Sequence, residues 1–260
     1  MTLDRGLAQD WIRRWDVQQA NYLSDREERF TALIDAVEDG TGRADPLVLD
    51  LGCGPGSLAV RLLDRLPKAT VVAIDADPVL LALARAAWPD RPGLIIAERD
   101  LRSPGWAAAL GLDRPADAAV STTALHWLTA AGLTALYAEL ATVLRPGGLF
   151  LDGDHLREDP AQAPVLAQLG RALTHRREQR HPAPDPAATW ESWWQAAEAD
   201  PALAGLVRQR DQLQLDSGHH GSPAGLLGTH AGALRAAGFA EVGTLWQHGD
   251  NRLLCGVLAG

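Results

Sequence analysis

Read from its N-terminus, the chain begins with two stretches of helical character, residues 7–20 and 24–38. The second opens on Ser24 with Glu27 three positions later, a pairing in which each side chain satisfies an amide of the first turn. Gly40 and Gly42 predict where that helix stops. Beyond them the rhythm changes. Short, almost wholly apolar runs, PLVLDL (46–51), TVVAID (70–75), GLIIAE (93–98) and ADAAVS (116–121), alternate with segments whose leucines recur at helical spacing, as at Leu58, Leu62, Leu63 and Leu66. Asp77-Pro78 offers an N-cap and a first-turn proline to one of these helices. Another, carrying Leu133, Leu136, Tyr137, Leu140 and Leu144, runs into RPGG, a stop signal, and LFLDGD (149–154) follows as a fifth strand.

Strands that are apolar on both faces must be covered on both faces. Joined by helices through right-handed crossovers, they predict an α/β fold with a doubly wound, mostly parallel sheet. The strand pattern lapses from residue 155 to about 225, a helical stretch broken by prolines and carrying Trp190, Trp193 and Trp194. A helix over 226–237 then ends at Gly238, and runs at 240–247 and 251–258 flank HGDN, a hairpin signal. The expectation is therefore a seven-stranded sheet with an antiparallel last strand. Four parts are expected: an N-terminal helical cap (1–44), the α/β core (45–154), a helical insertion or substrate lid (155–225), and a C-terminal helix and strand pair (226–260) completing the core.

Composition narrows the function classes. The 260 residues are 47% hydrophobic and 22% charged, with a formal net charge of −9. Phosphate contacts dominate nucleic-acid affinity, so an acidic total argues against a nucleic-acid partner, although a local basic patch would survive it. No run of about 18 uninterrupted apolar residues is present, and the N-terminus lacks a secretory apolar core, so a cytoplasmic protein with no membrane partner is expected. Cys53 and Cys255 do not make a disulfide framework. The partner expected is a small-molecule substrate, with the chain a monomer or homodimer.

Chemistry concentrates at LDLGCGPGS (49–57), between a strand and a helix. Gly52, Gly54 and Gly56 allow a tight turn and close approach of a ligand to the backbone. Asp50 precedes the first glycine, and Asp75 ends the next strand, where a carboxylate can accept bonds from both hydroxyls of a ribose. Alone, such a turn is equally a plain strand-to-helix connection. A dinucleotide is the competing ligand, but the spacing is GxGxG, and an acid at this helix N-terminus suits a cation better than a pyrophosphate.

These residues resemble the class I S-adenosylmethionine-dependent methyltransferases. The resemblance runs over about 46–154 and again from 226 onward. Residues 50–56 resemble the family's first motif, which wraps the amino-acid end of S-adenosylmethionine. Asp75 is similar to the acid that holds the ribose, with Ala76 beside the adenine, and Asp100-Leu101 to the pair flanking the adenine. Residues 117–121 with TTALHWL resemble the fourth motif and imply Ser121 at the cofactor; LRPGGLFL (144–151) and LRAAGF (234–239) match the later segments. The NPPY or DPPY tetrapeptide of nucleobase and amide N-methyltransferases is missing. The segment is closer to small-molecule methyltransferases such as those acting on trans-aconitate or malonyl thioesters. The implied activity is transfer of a methyl group by in-line displacement to O, N or C of a small molecule, a specialised metabolite or small acid, with S-adenosylhomocysteine as product. The alternatives left open are another reaction class on the same cofactor, an RNA methyltransferase acting on wobble uridine, and a non-catalytic subunit.

Catalytic candidates are His126 and His155, each following a strand at the C-terminal edge of the sheet, where ligands of such folds sit. Either is equally a structural histidine. His219 and His220 read as a solvated loop. Asp152, Asp154 and His155 offer metal-type ligands at a strand end, yet no spacing enforces a site, and no metal is expected. For the substrate pocket the candidates are Trp15, Gln19 and Tyr22 of the N-terminal stretch, Trp127, and Arg176 among the arginines at 171, 176, 177 and 180, which either face solvent or hold an acidic substrate. Trp190, Trp193 and Trp194 span one helical turn and so cannot all point one way.

Overall fold

A computed structural model describes residues 3–23, 25–182, 185–215 and 225–260. His219 and His220, and Ser24 of the expected capping box, lie outside the described residues. The described elements run α1 (Arg5–Tyr22), α2 (Arg26–Thr41), β1 (Leu47–Leu51), α3 (Ser57–Arg65), β2 (Thr70–Asp75), α4 (Pro78–Ala87), β3 (Leu94–Glu98), β4 (Ala116–Thr122), α5 (Ala130–Val143), β5 (Leu144–His155), α6 (Pro164–Arg180), α7 (Trp190–Ala199), α8 (Ala204–Gln212), α9 (Leu227–Ala236), β6 (Phe239–His248) and β7 (Asn251–Leu258). One seven-stranded sheet has the order β3-β2-β1-β4-β5-β7-β6. β1 to β5 are parallel neighbours, and β7 enters antiparallel between β5 and β6. This is the doubly wound α/β fold that the apolar runs predicted.

The sheet separates two cores, because side chains alternate along each strand. On one face Leu49, Leu51, Val72, Ile74 and Phe150 pack against Leu133, Leu136, Tyr137 and Leu140 of α5 and Leu234 of α9. On the other, Val48, Val71, Ala73, Val120 and Leu151 meet Phe30, Leu33 and Val37 of α2 and Leu58 and Leu62 of α3. α2 therefore packs as a layer of the core, whereas α1 belongs to a third cluster. There Trp11, Ile12 and Trp15 meet Val79, Leu80 and Leu83 of α4 together with Trp193, Ala197, Leu203 and Val207 of α7 and α8. α1, α7 and α8 thus form one helical block against α4.

Two expectations are corrected. RPGG does not separate α5 from the fifth strand: β5 starts at Leu144, directly after the helix, and takes these residues in. Ala116 pairs with Leu144 and Ala118 with Leu149, so the extra residues bulge out of the ladder, which Gly147 permits at φ +69°. The cap of α2 is Asp25, whose side chain makes no capping hydrogen bond. It forms an ion pair with Arg177 of α6 instead, which ties the insertion to α2. Asp77 does cap α4 as expected, its Oδ1 accepting from the Val79 and Leu80 N–H groups at 2.9 and 3.2 Å.

Candidate functional site

The C-terminal ends of β1, β2 and β4 open into one cleft. Its walls come from the glycine turn (Gly52, Cys53, Gly54), the end of β2 (Asp75, Ala76, Asp77), the loop after β3 (Asp100, Leu101), the loop after β4 (Thr122 to Ala124, Trp127), and Trp15 and Gln19 of α1. Strand order explains the place: β2 and β4 flank β1 on opposite sides, so their crossovers diverge and leave a crevice above β1.

The glycine turn is shaped by necessity. Gly52 and Gly54 hold φ of +70° and +55°, in the left-handed region. A Cβ at Gly52 would overlap the Ala124 methyl group. Ala124 is driven there by Thr123, a non-glycine residue held at φ +51° and tied back by its N–H to the Gly153 carbonyl at 3.0 Å. Trp15 lies 3.8 Å from the position a Cβ would take at Gly54, so α1 roofs this end of the cleft. Asp16, one residue on, accepts from the Ser57 hydroxyl at 2.7 Å and from Arg26 at 2.9 Å, fastening α1 to the start of α3 and to α2.

Negative charge sits under the turn. Asp75 accepts from the Gly54 N–H at 2.7 Å through Oδ2, and from the Ala76 and Asp77 N–H groups at 2.7 and 2.9 Å through Oδ1. Burial raises its pKa despite these bonds. Asp50 is more extreme: it is fully buried, and neither carboxylate oxygen has a side-chain partner among the described residues. Burial first, and the Asp75 charge second, push its carboxyl up to about 7, against slight relief from the Ala59 amide. Asp100 behaves oppositely. Burial opposes its ionisation, but the bonds and charge of Arg102, 2.8 Å away, hold it below the usual carboxylate range.

Of the other expected residues, Gly56 caps α3 at φ +87° without lining the cleft, and Ser121 spends its hydroxyl on the Leu51 carbonyl at 2.9 Å, pinning β4 to β1. Tyr22 is half exposed and accepts from the Trp190 N–H at 3.2 Å. Arg176 stays on the exposed side of α6. His126 stands beside Trp127, with ring centroids 5.5 Å apart and Nδ1 2.7 Å from Asp154 Oδ2. Burial disfavours its imidazolium, but Asp154 and Asp152 outweigh this and raise its pKa. His155 lies away from the cleft, 3.0 Å from Asp250, which also accepts from Thr174 of α6. Among the described residues no group of three or more His, Cys, Asp or Glu side chains is arranged to hold a metal ion.

Several site residues were missed. Arg29, fully buried, donates to Asn251 at 2.7 Å and Thr122 at 2.6 Å beneath the loop after β4. Arg210 of the insertion bonds Asp77 at 2.7 Å and lines the cleft. Neither stands in a sequence motif: both lie in charged helical stretches, REERF (26–30) and RQRDQ (208–212), where nothing marks the buried one.

Residues 48–148 match the family model described as a methyltransferase domain, over the strands and the turn that build this cleft. The core is a class I methyltransferase domain. Its relatives include a trans-aconitate 2-methyltransferase of Azoarcus sp. (strain BH72), 34% identical over 68% of this chain and 65% of that protein. Another, from Streptomyces coelicolor (strain ATCC BAA-471 / A3(2) / M145), is 36% identical over 52% of this chain and 43% of its own length. The chain thus spans under two thirds of the length of these relatives. Among solved structures, the methyltransferase fold is shared with the magnesium protoporphyrin IX methyltransferase of Synechocystis PCC 6803, at TM-score 0.54 and 16% identity over 98% of this chain and 100% of that one. An O-methyltransferase family protein from Burkholderia thailandensis gives TM-score 0.57 and 19% identity over 95% and 60%. No helix among the described residues is long and apolar enough to cross a membrane.

Proposed function

We propose that this chain is an enzyme that uses S-adenosylmethionine to methylate a small molecule. The observation that carries the reading is Asp50, a fully buried carboxylate with no side-chain partner among the described residues, set beneath the glycine turn of the cleft rather than in its wall. A buried charge costs several kcal/mol unless compensated. The methionine end of the cofactor brings an ammonium and a sulfonium, both positive, to that turn. A dinucleotide would bring further negative charge, so the same acids disfavour it.

The residues present fit the cofactor. The turn leaves no Cβ in the way at Gly54, and Asp75 Oδ2, which carries one N–H, has room for a ribose hydroxyl. Ala76, Leu80 and Leu101 give an apolar lining for the adenine. When bound, S-adenosylmethionine supplies a methyl group already activated toward nucleophiles. What remains for the chain is to hold an acceptor in line and exclude water, work done by positioning. Trp15, Trp127 and Trp190 wall the cleft beyond the turn, with the insertion as lid. His126, anchored through Asp154, does not itself line the cleft; its part in this reading is to fix the turn that presents Trp127. The free, buried cysteines fit an activity in the cytoplasm.

The test is incubation with methyl-labelled S-adenosylmethionine and a cell extract, followed by size fractionation. Label is expected in the low-molecular-weight fraction and lost in Asp75→Ala. Label confined to RNA or to protein, or none transferred, contradicts the proposal.

A further inference from the structure

The acceptor end of the cleft is built of indoles. Trp127, from the loop after β4, and Trp190, opening α7, face each other with centroids 5.6 Å apart and planes 33° apart. Trp15 of α1 completes the wall, 5.5 Å from Trp190 at 60°. Three separate parts of the chain thus bring a tryptophan to one place. The neighbours of Trp190 on its helix do other work. Trp193 is 3% exposed, wedged at 5.1 Å from both Trp11 and Trp15, and Trp194 lies beneath the Arg210 guanidinium at 3.9 Å. Those two anchor the helix, which leaves Trp190 aimed at the cleft. Thr189 caps α7 with a reciprocal Ser192 bond, and the Tyr22 hydroxyl accepts from the Trp190 N–H, so its position is fixed by the backbone.

Among the described residues, most of the cationic side chains of the cleft are paired with acids of the protein itself. Arg26 is bonded to Asp16 at 2.9 Å, Arg102 to Asp100 at 2.8 Å, and Arg210 to Asp77 at 2.7 Å. Arg99 donates to the Glu98 and Ala109 carbonyls. Arg176 is turned to solvent and Arg177 pairs with Asp25, so α6 delivers neither arginine to the cleft. Asp75 and Asp50 add negative charge below. A polycarboxylate entering here would have to break these pairs and would meet acids; recognition of a carboxylate requires an arginine fork or a comparable donor set. Stacked indoles instead favour a flat π-system, which they hold by offset or edge contacts.

We propose, resting on the methyltransferase reading above, that the acceptor is a planar aromatic molecule packed against the wall that Trp127 and Trp190 form together, and not a polycarboxylate like that in the names of its relatives. The probes are 2-naphthol and trans-aconitate, titrated by calorimetry and tryptophan fluorescence into the full chain saturated with S-adenosylhomocysteine. 2-Naphthol is expected to bind and quench the indole emission. Trp190→Ala should weaken it by about ten-fold, the worth of one lost stacking partner, and Trp190→Phe should restore it. Trans-aconitate is expected to give no saturable heat. S-adenosylhomocysteine titrated into each variant reports that the fold is intact. Binding of trans-aconitate as tight as that of 2-naphthol, absence of 2-naphthol binding, or unchanged affinity in Trp190→Ala overturns the aromatic acceptor while leaving the cofactor reading standing. Absence of S-adenosylhomocysteine binding overturns both.

Discussion

Replacing Asp50 with asparagine keeps the side chain's shape and removes its charge. In the folded protein its carboxyl is pushed from an ordinary 3.8 to about 7 by burial and by Asp75. Between these values the folded state holds a proton that the unfolded state has released. Stability therefore falls as pH rises through that window and stays low above it. A displacement of roughly three pH units corresponds to about 4 kcal/mol, an upper figure because Asp75 shares the repulsion. Asp50→Asn escapes this cost but carries its own, about 1–3 kcal/mol for a buried amide without partners, equal at every pH. The informative quantity is thus a difference of differences. Urea unfolding of the ligand-free protein at pH 5 and pH 8 should show the variant gaining up to about 2.7 kcal/mol on the wild type between the two, since roughly two of the three pH units lie in that interval. Over the same interval S-adenosylhomocysteine affinity at pH 8 should drop by at least about ten-fold, since a charge compensated by the ligand ammonium is gone. A variant that tracks the wild type at both pH values and binds the ligand equally would refute the reasoning.

Three further outcomes are expected. Gly52→Ala sets a methyl group into Ala124 at a left-handed φ, so it should destabilise the protein by about 1–3 kcal/mol and abolish detectable ligand binding, read by thermal unfolding and calorimetry. Asp77→Ala removes the cap of α4 and one ion-pair partner of Arg210, and should cost more in urea unfolding than the roughly 1 kcal/mol of a cap alone. Asp154→Asn removes the charge that raises His126, so the His126 pKa, followed by NMR, should move down. In the wild type, the stability contributed by that raised histidine is present at low pH and lost as pH rises through its folded value; the variant should lose this pH dependence.

The strands, their order of appearance and the final hairpin were legible because buried parallel strands leave nearly unbroken apolar runs, as in TVVAID and ADAAVS. The turn residues were legible too, because positive φ at Gly52 and Gly54 demands a residue type. RPGG misled because a bulge inside a strand uses the same glycines as a loop does. The charged contacts were hidden for a different reason. Arg29 to Thr122, Arg210 to Asp77 and Asp16 to Ser57 join residues 93, 133 and 41 positions apart, and no local pattern encodes such partners. The tryptophans lay between: their spacing on α7 showed that they must diverge, but only the packing of α1 against α7 decides that Trp190 is the one left to the cleft.

The most direct test of the central claim is titration of the wild-type chain with S-adenosylhomocysteine and, in parallel, with NAD. The account predicts saturable heat at one equivalent for the first and none for the second. Saturable NAD binding, or no heat from S-adenosylhomocysteine, would contradict it.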